Sequence, residues 1–384
     1  MIYLDNNATT KIAQRVYYKQ CEALHKYYGN PSSLYPFGTL VREKINEARE
    51  KVARLINANL VSKDKIIFTS CATESNNTVF SSVLLGKKNK RRVVISSVEH
   101  PSVMESAARL ESQGCTVIRV PVNLDGVLDE QYLYSAITDD TALVSIMLAN
   151  NETGVIFPIQ RITSKIKKIW PEVFVHTDAV QAIGKINVDV KALGVDFLTI
   201  SGHKFCAPKG VGALFISSNV NIPPFIIGGH QESNMRAGTE NTASIIAMGD
   251  AAQFAMENLE NGVTDKVCKL RDLLEAQISS IFSDIMIFGK AAPRVCNTSN
   301  ISFKGWVGEK LVLKLAAKEI CVSSGSACSS NSKTLSYVLE AMNAPADYAS
   351  SIRISFGYEN TENDILSIVE ALKFIILNQN VYAN

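Results

Sequence analysis

Five short stretches carry side chains whose chemistry exceeds what local structure needs. "SGHKFCAPKGVG" (201–212) follows an apolar, β-branched run and sets Lys204 just after Ser201 and His203. A lysine at a strand's carboxyl end, partly desolvated and beside a ring that can carry charge, has its pKa lowered and can form a Schiff base. A surface lysine in a turn between strands reads the same way locally. "HTDAVQAIGK" (176–185) puts Asp178 at the end of a second such run, with Gln181 three residues on. A carboxylate there can keep a pyridine nitrogen protonated, or can simply cap a helix. In "TSCATESNN" (69–77) small residues lead to Ala72 and Thr73 at a helix start. Backbone N–H groups at that end, with the Thr73 hydroxyl, can bind a phosphate, although plain capping uses the same residues. "SSVEHPSV" (96–103) places His100 after a further strand, with Pro101 opening the next helix. An imidazole at that edge can stack on a ring and move protons near neutral pH, where a lone histidine is more often surface or core. "SSGSACSSNS" (323–332) sets Cys328 among small and polar residues, with nothing nearby to bury it.

The elements that must position these groups are legible as alternation. "KIIFTS" (65–70), "RRVVISS" (91–97), "TVIRVPV" (116–122), "ALVSIML" (142–148), "VFVHTD" (173–178), "VDFLTISG" (195–202) and "VGALFIS" (211–217) read as seven strands. Many are separated by segments such as 102–114 and 161–170 with apolar residues at helical spacing. That alternation implies an α/β fold, a mostly parallel sheet between helices, with ligands beyond the carboxyl ends of the strands. Lysine, carboxylate, anion site and histidine all fall at that one edge, so four independent bland explanations are not needed. After about residue 255 the pattern changes to one long helical stretch (251–282) followed by mixed strands and helices, which suits a smaller α+β domain.

Composition narrows the setting. Lys plus Arg total 39 against 37 Asp plus Glu, so no electrostatic footprint for strong nucleic-acid binding is present, and the basic cluster at 86–92 reads as a solvated turn. The eight cysteines are scattered and none forms a CxxC pair, which suits a reducing, cytoplasmic location and no metal site. No apolar run approaches the roughly 18 residues that span a bilayer.

The motifs "YLDNNATT", "YGNPSS", "TSCATESNN", "EHPSV", "ANNETGV", "HTDAVQAIGK", "SGHKFCAPKGVGAL", "RAGTEN", "SSGSACSS" and "SIRISFG" run in order from residue 3 to residue 357. With them the chain resembles the cysteine desulfurases among the fold-type I, pyridoxal 5'-phosphate-dependent class V aminotransferases. The resemblance implies a large domain over 12–258 and a small domain over 1–11 and 259–384, the latter carrying a mobile catalytic loop at about 322–336. It makes Lys204 the Schiff-base lysine and Asp178 the partner of the pyridine nitrogen. Gln181 would hydrogen-bond the ring hydroxyl, and His100 would stack on the ring and act in proton transfer. Ala72, Thr73, Ser201, His203 and Thr239 would hold the phosphate, Thr239 reaching in from the second subunit of a homodimer. Asn151 and Arg353 would take the substrate carboxylate. The Cys328 thiolate would attack the sulfur of L-cysteine: the S–S bond forms, the C–S bond breaks, and alanine leaves after protonation at carbon. The resulting persulfide would serve an acceptor protein in iron–sulfur cluster assembly, or in tRNA thiolation or DNA phosphorothioation.

Three departures from the family pattern stand out. His230 in "GGHQES" occupies a place where a third glycine is usual, which questions the local turn. Cys206 stands two residues after Lys204, most simply as a small buried hydrophobe. "NSKTL" (331–335) replaces the commoner sequence after Cys328. An aminotransferase or a selenocysteine lyase would share Lys204, Asp178 and His100, and a non-catalytic scaffold would share only the fold.

Overall fold

The computed structural model describes residues 1–87, 89–325 and 336–377. In chain order the strands are β1 (Ile2–Tyr3), β2 (Lys65–Thr69), β3 (Arg92–Ser96), β4 (Thr116–Val120), β5 (Thr141–Ser145), β6 (Phe174–Asp178), β7 (Phe197–Ser201), β8 (Gly212–Ile216), β9 (Ile285–Phe288), β10 (Thr298–Phe303), β11 (Ile320–Cys321), β12 (Ser323–Ser324) and β13 (Ile352–Ser355). All seven runs read from the sequence as strands, β2 to β8, form one sheet in the order β2-β8-β7-β6-β5-β3-β4. Its pairings are parallel except for β8, which runs antiparallel to both β2 and β7. β5, β7 and β8 are buried at every position, because helices cover both faces and leave no solvent side for polar alternation. The core on one face gathers Val94, Val144, Val175, Leu198 and Ile200. On the other it gathers Val79, Phe80, Ile95, Leu143 and Phe197.

A second, antiparallel sheet has the order β12-β13-β10-β9. Helices Val263–Ile281, Gly308–Ala316 and Glu362–Leu377 pack on it through Leu270, Leu274, Leu311, Leu315, Ile368 and Leu372, against Ile301, Ile352 and Ile354. β1 pairs in parallel with β11, so the first residues of the chain belong to this later part of the fold.

The stretch read as one long helix is two. Thr242–Glu260 ends at Asn261, and Val263–Ile281 restarts after Gly262, whose φ of 70° is left-handed. Helical periodicity on both sides hides the break, since glycine reaches that region without a Cβ clash while the apolar spacing continues.

Candidate active site

The carboxyl ends of the parallel strands surround a cavity of about 280 Å³. Ala72, Thr73, His100, Asn151, Asp178, Gln181, Ser201, His203, Lys204 and Arg353 all line it. Thr239 does not; it is exposed on the loop after Arg236. Cys328, like the "NSKTL" departure, lies outside the described residues, so only the ends of the expected 322–336 loop can be placed.

Each group arrives from its strand end. Asp178 is the last residue of β6 and 5 % exposed; its Oδ1 accepts from the Val180 N–H at 3.0 Å and its Oδ2 from Asn76 Nδ2 at 2.9 Å. Ala72 and Thr73 open the helix Ala72–Gly86 directly after β2, and their N–H groups have no preceding helical carbonyl to bond. The 3₁₀ turn Gly202–Lys204 follows β7 and turns Lys204 into the cavity. His100 caps the helix Pro101–Ser112. Its pKa lies below the ordinary histidine value because it is buried, with the Lys204 charge adding to that and Asp178 opposing it. Burial, then Lys204 and Lys209, push His203 down to about 4. Arg353 comes from β13 of the other sheet and is 3 % exposed. Its Nη2 donates to Asp5 Oδ1 at 2.8 Å and its Nη1 to the Asn151 carbonyl at 3.1 Å. Arg353 Nε and Asn151 Oδ1 are buried without a hydrogen-bond partner, two unsatisfied polar atoms at the same corner of the site.

Sequence reasoning assigns no role to the strap 5–10 that clamps the Lys204 turn. Lys204 Nζ donates to the carbonyls of Asn7 at 2.6 Å and Ala8 at 2.8 Å. Thr10 binds the His203 carbonyl through its N–H at 2.9 Å. Asn7 is 1 % exposed and acts as a hub: its carbonyl also accepts from Gln181 Nε2 at 3.1 Å, and its Oδ1 accepts from Lys185 Nζ at 2.9 Å and Asn297 Nδ2 at 3.0 Å. Lys185 Nζ donates as well to Gln181 Oε1 at 2.5 Å, and burial pushes this amine down to about 7. The available signal was the polar run "DNNATT" ahead of the first helix.

Two departures resolve locally. His230 has φ −95°, so its position makes no demand for glycine; the left-handed residues are Glu232, Ser233 and Asn234. Cys206 is 8 % exposed and burial pushes its thiol up to about 11, as for a small buried hydrophobe rather than a second reactive thiol.

Residues 2–368 match the family model described as aminotransferase class-V. The chain is 43 % identical over 377 residues to a cysteine desulfurase of Trichormus azollae, covering 98 % of this chain and 93 % of that one. It is 40 % identical to the cysteine desulfurase NifS of Azotobacter vinelandii, covering 98 % of this chain and 92 % of that one. Among solved structures, a NifS-like protein superposes with a TM-score of 0.91 at 36 % identity, covering 98 % of this chain and 99 % of its own. SspA in complex with cysteine superposes at 0.79 with 28 % identity, covering 94 % and 100 %. The chain belongs to the class-V aminotransferase family, among its cysteine desulfurases.

Proposed function

We propose that this chain takes sulfur from L-cysteine onto Cys328, releases L-alanine, and hands the sulfur to an acceptor protein for iron–sulfur cluster assembly or for sulfur modification of nucleic acid. Pyridoxal 5'-phosphate is the cofactor. The residues fit it: the cavity offers a helix N-terminus for the phosphate, a buried carboxylate at Asp178, an amine at Lys204 and an imidazole at His100. When bound, the cofactor supplies an electron sink for the bond-breaking at the substrate's carbon. The convergence of Lys204, Asp178 and Arg353 on one cavity, from two sheets, carries this reading.

In it, Lys204 holds the cofactor aldehyde and Asp178 the pyridine nitrogen. Gln181, oriented by Lys185 and Asn7, would hold the ring hydroxyl. Ala72, Thr73, Ser201 and His203 hold the phosphate. Arg353 and Asn151 take the substrate carboxylate, for which the orphaned Arg353 Nε–H is an available donor. We infer the same two-part organisation, 12–258 against 1–11 with 259–384; the β1–β11 pairing and the separate apolar cluster around Leu274 support it. A homodimer is supported by Thr239, exposed and outside its own chain's cavity, and by the exposed Tyr17, Tyr18, Tyr28 and Leu34. A cytoplasmic location belongs to the same reading; among the described residues no helix is long and apolar enough to cross a membrane.

The test follows alanine and sulfide formation from L-cysteine with a reductant present. Wild type is expected to form both. Cys328→Ala is expected to lose both while keeping the cofactor's absorbance, and Lys204→Ala to lose the covalent attachment as well. Undiminished alanine formation by Cys328→Ala would remove the thiol from the reaction.

A further inference from the structure

A chain of hydrogen bonds runs from Asp178 to His100 through two residues that no role yet claims, and the direction of each bond is set by the one before it. Asp178 Oδ2 is an acceptor, so the atom of Asn76 that meets it at 2.9 Å is the amide nitrogen. The same Nδ2 lies 2.8 Å from Ser102 Oγ and has only donors to offer, so the Ser102 oxygen accepts. The hydroxyl proton of Ser102 is then left to point elsewhere, and His100 Nδ1 lies 2.9 Å away. Independently, the Ser102 backbone N–H donates to that same Nδ1 at 3.2 Å. A proton on Nδ1 would face this N–H directly. Asn76 is fully buried and Ser102 is 8 % exposed, so water competes little with any link.

We propose that Ser102 is a positioning residue that fixes His100 as the Nε2–H tautomer, so that the imidazole meets the bound cofactor and substrate as a hydrogen-bond donor and not as a base at Nε2. This rests on the cysteine desulfurase reading for what His100 faces, but not for the tautomer. In the neutral ring a nitrogen that carries a proton has no in-plane lone pair, so abstraction of a substrate proton at Nε2 is closed to it. Asn76 joins the two ends: the group that orients the His100 hydroxyl partner also binds Asp178.

The experiment uses the holoenzyme labelled with ¹⁵N-histidine, the His100 signals being assigned among the five histidines by their loss in His100→Gln. Wild type is expected to show a protonated Nε2 and a bare, doubly hydrogen-bonded Nδ1 at neutral pH. Ser102→Ala is expected to move the Nδ1 resonance toward that of an unbonded imidazole nitrogen, and Ser102→Thr, which keeps the hydroxyl, to restore it. With L-cysteine, Ser102→Ala should lower kcat about tenfold, as for one lost buried hydrogen bond, with KM little changed. A proton found on Nδ1 in wild type, or Ser102→Ala with unchanged Nδ1 resonance or unchanged kcat, overturns the proposal. If wild type makes no alanine while the Nε2–H pattern is seen, the functional reading fails and the tautomer assignment stands.

Discussion

Lys185 shows how much a single buried side chain contributes to this site. Its two bonds, to Asn7 Oδ1 and Gln181 Oε1, match the two protons of a neutral amine. Burial lowers it from the ordinary lysine range to about 7, with Lys204 and Arg353 nearby adding to the shift and Cys296 and Cys206 opposing it. In the unfolded chain it protonates near pH 10.5, so between about pH 7 and 10 the unfolded state binds the extra proton and stability rises with pH. Denaturant unfolding of wild type and Lys185→Met across that window should show the difference moving in favour of wild type as pH rises; a flat difference would mean that Lys185 keeps its charge when folded. Lys204, Asp178, His100 and Thr73 were legible because each sits where an apolar run stops, a signal carried by neighbouring residues. Asn7 was not, since its partners Gln181, Lys204 and Asn297 lie far along the chain and no local pattern announces them.

Among the elements, the turn 231–238 is the clearest case of local strain held by distant contacts. Glu232, Ser233 and Asn234 all have positive φ, which costs about 1 kcal/mol or more for each residue with a Cβ. Glu232 is 7 % exposed and offsets this by pairing with Arg49 at 2.7 and 2.8 Å and accepting the Phe68 N–H at 2.8 Å. Arg236, just beyond, pairs with Glu74 at 2.9 Å in the first turn of the helix Ala72–Gly86. The strained turn therefore joins helix Pro36–Leu55, β2 and the loop that presents Thr239. Glu232→Ala leaves the Arg49 charge without its partner and should destabilise the fold by about 3 kcal/mol, read from urea unfolding. A loss below about 1 kcal/mol would place the anchor elsewhere.

At the scale of the whole molecule, two sheets share one site, and on the present reading two chains do as well. A Lys204→Ala chain mixed with a Thr239→Glu chain should regain activity that neither has alone, because one site of the hybrid receives intact residues from both; no recovery after subunit exchange would count against a shared site. The amino-acid sequence by itself determined the seven strands of the larger sheet, the helices on both its faces, and the edge at which chemistry collects, since burial on both faces writes continuous apolar runs and their ends are local events. Tertiary structure decided that Asn7 and Ala8 line the site and hold Lys204, that Arg353 enters from a separate sheet, that Gly262 divides one periodic run into two helices, and that Asn76 and Ser102 orient His100. The Asn7, Arg353 and Asn76 contacts join residues distant in the chain, which only the folded packing brings within hydrogen-bonding distance, while the Gly262 break and the Ser102–His100 bond are local geometry that apolar periodicity does not register.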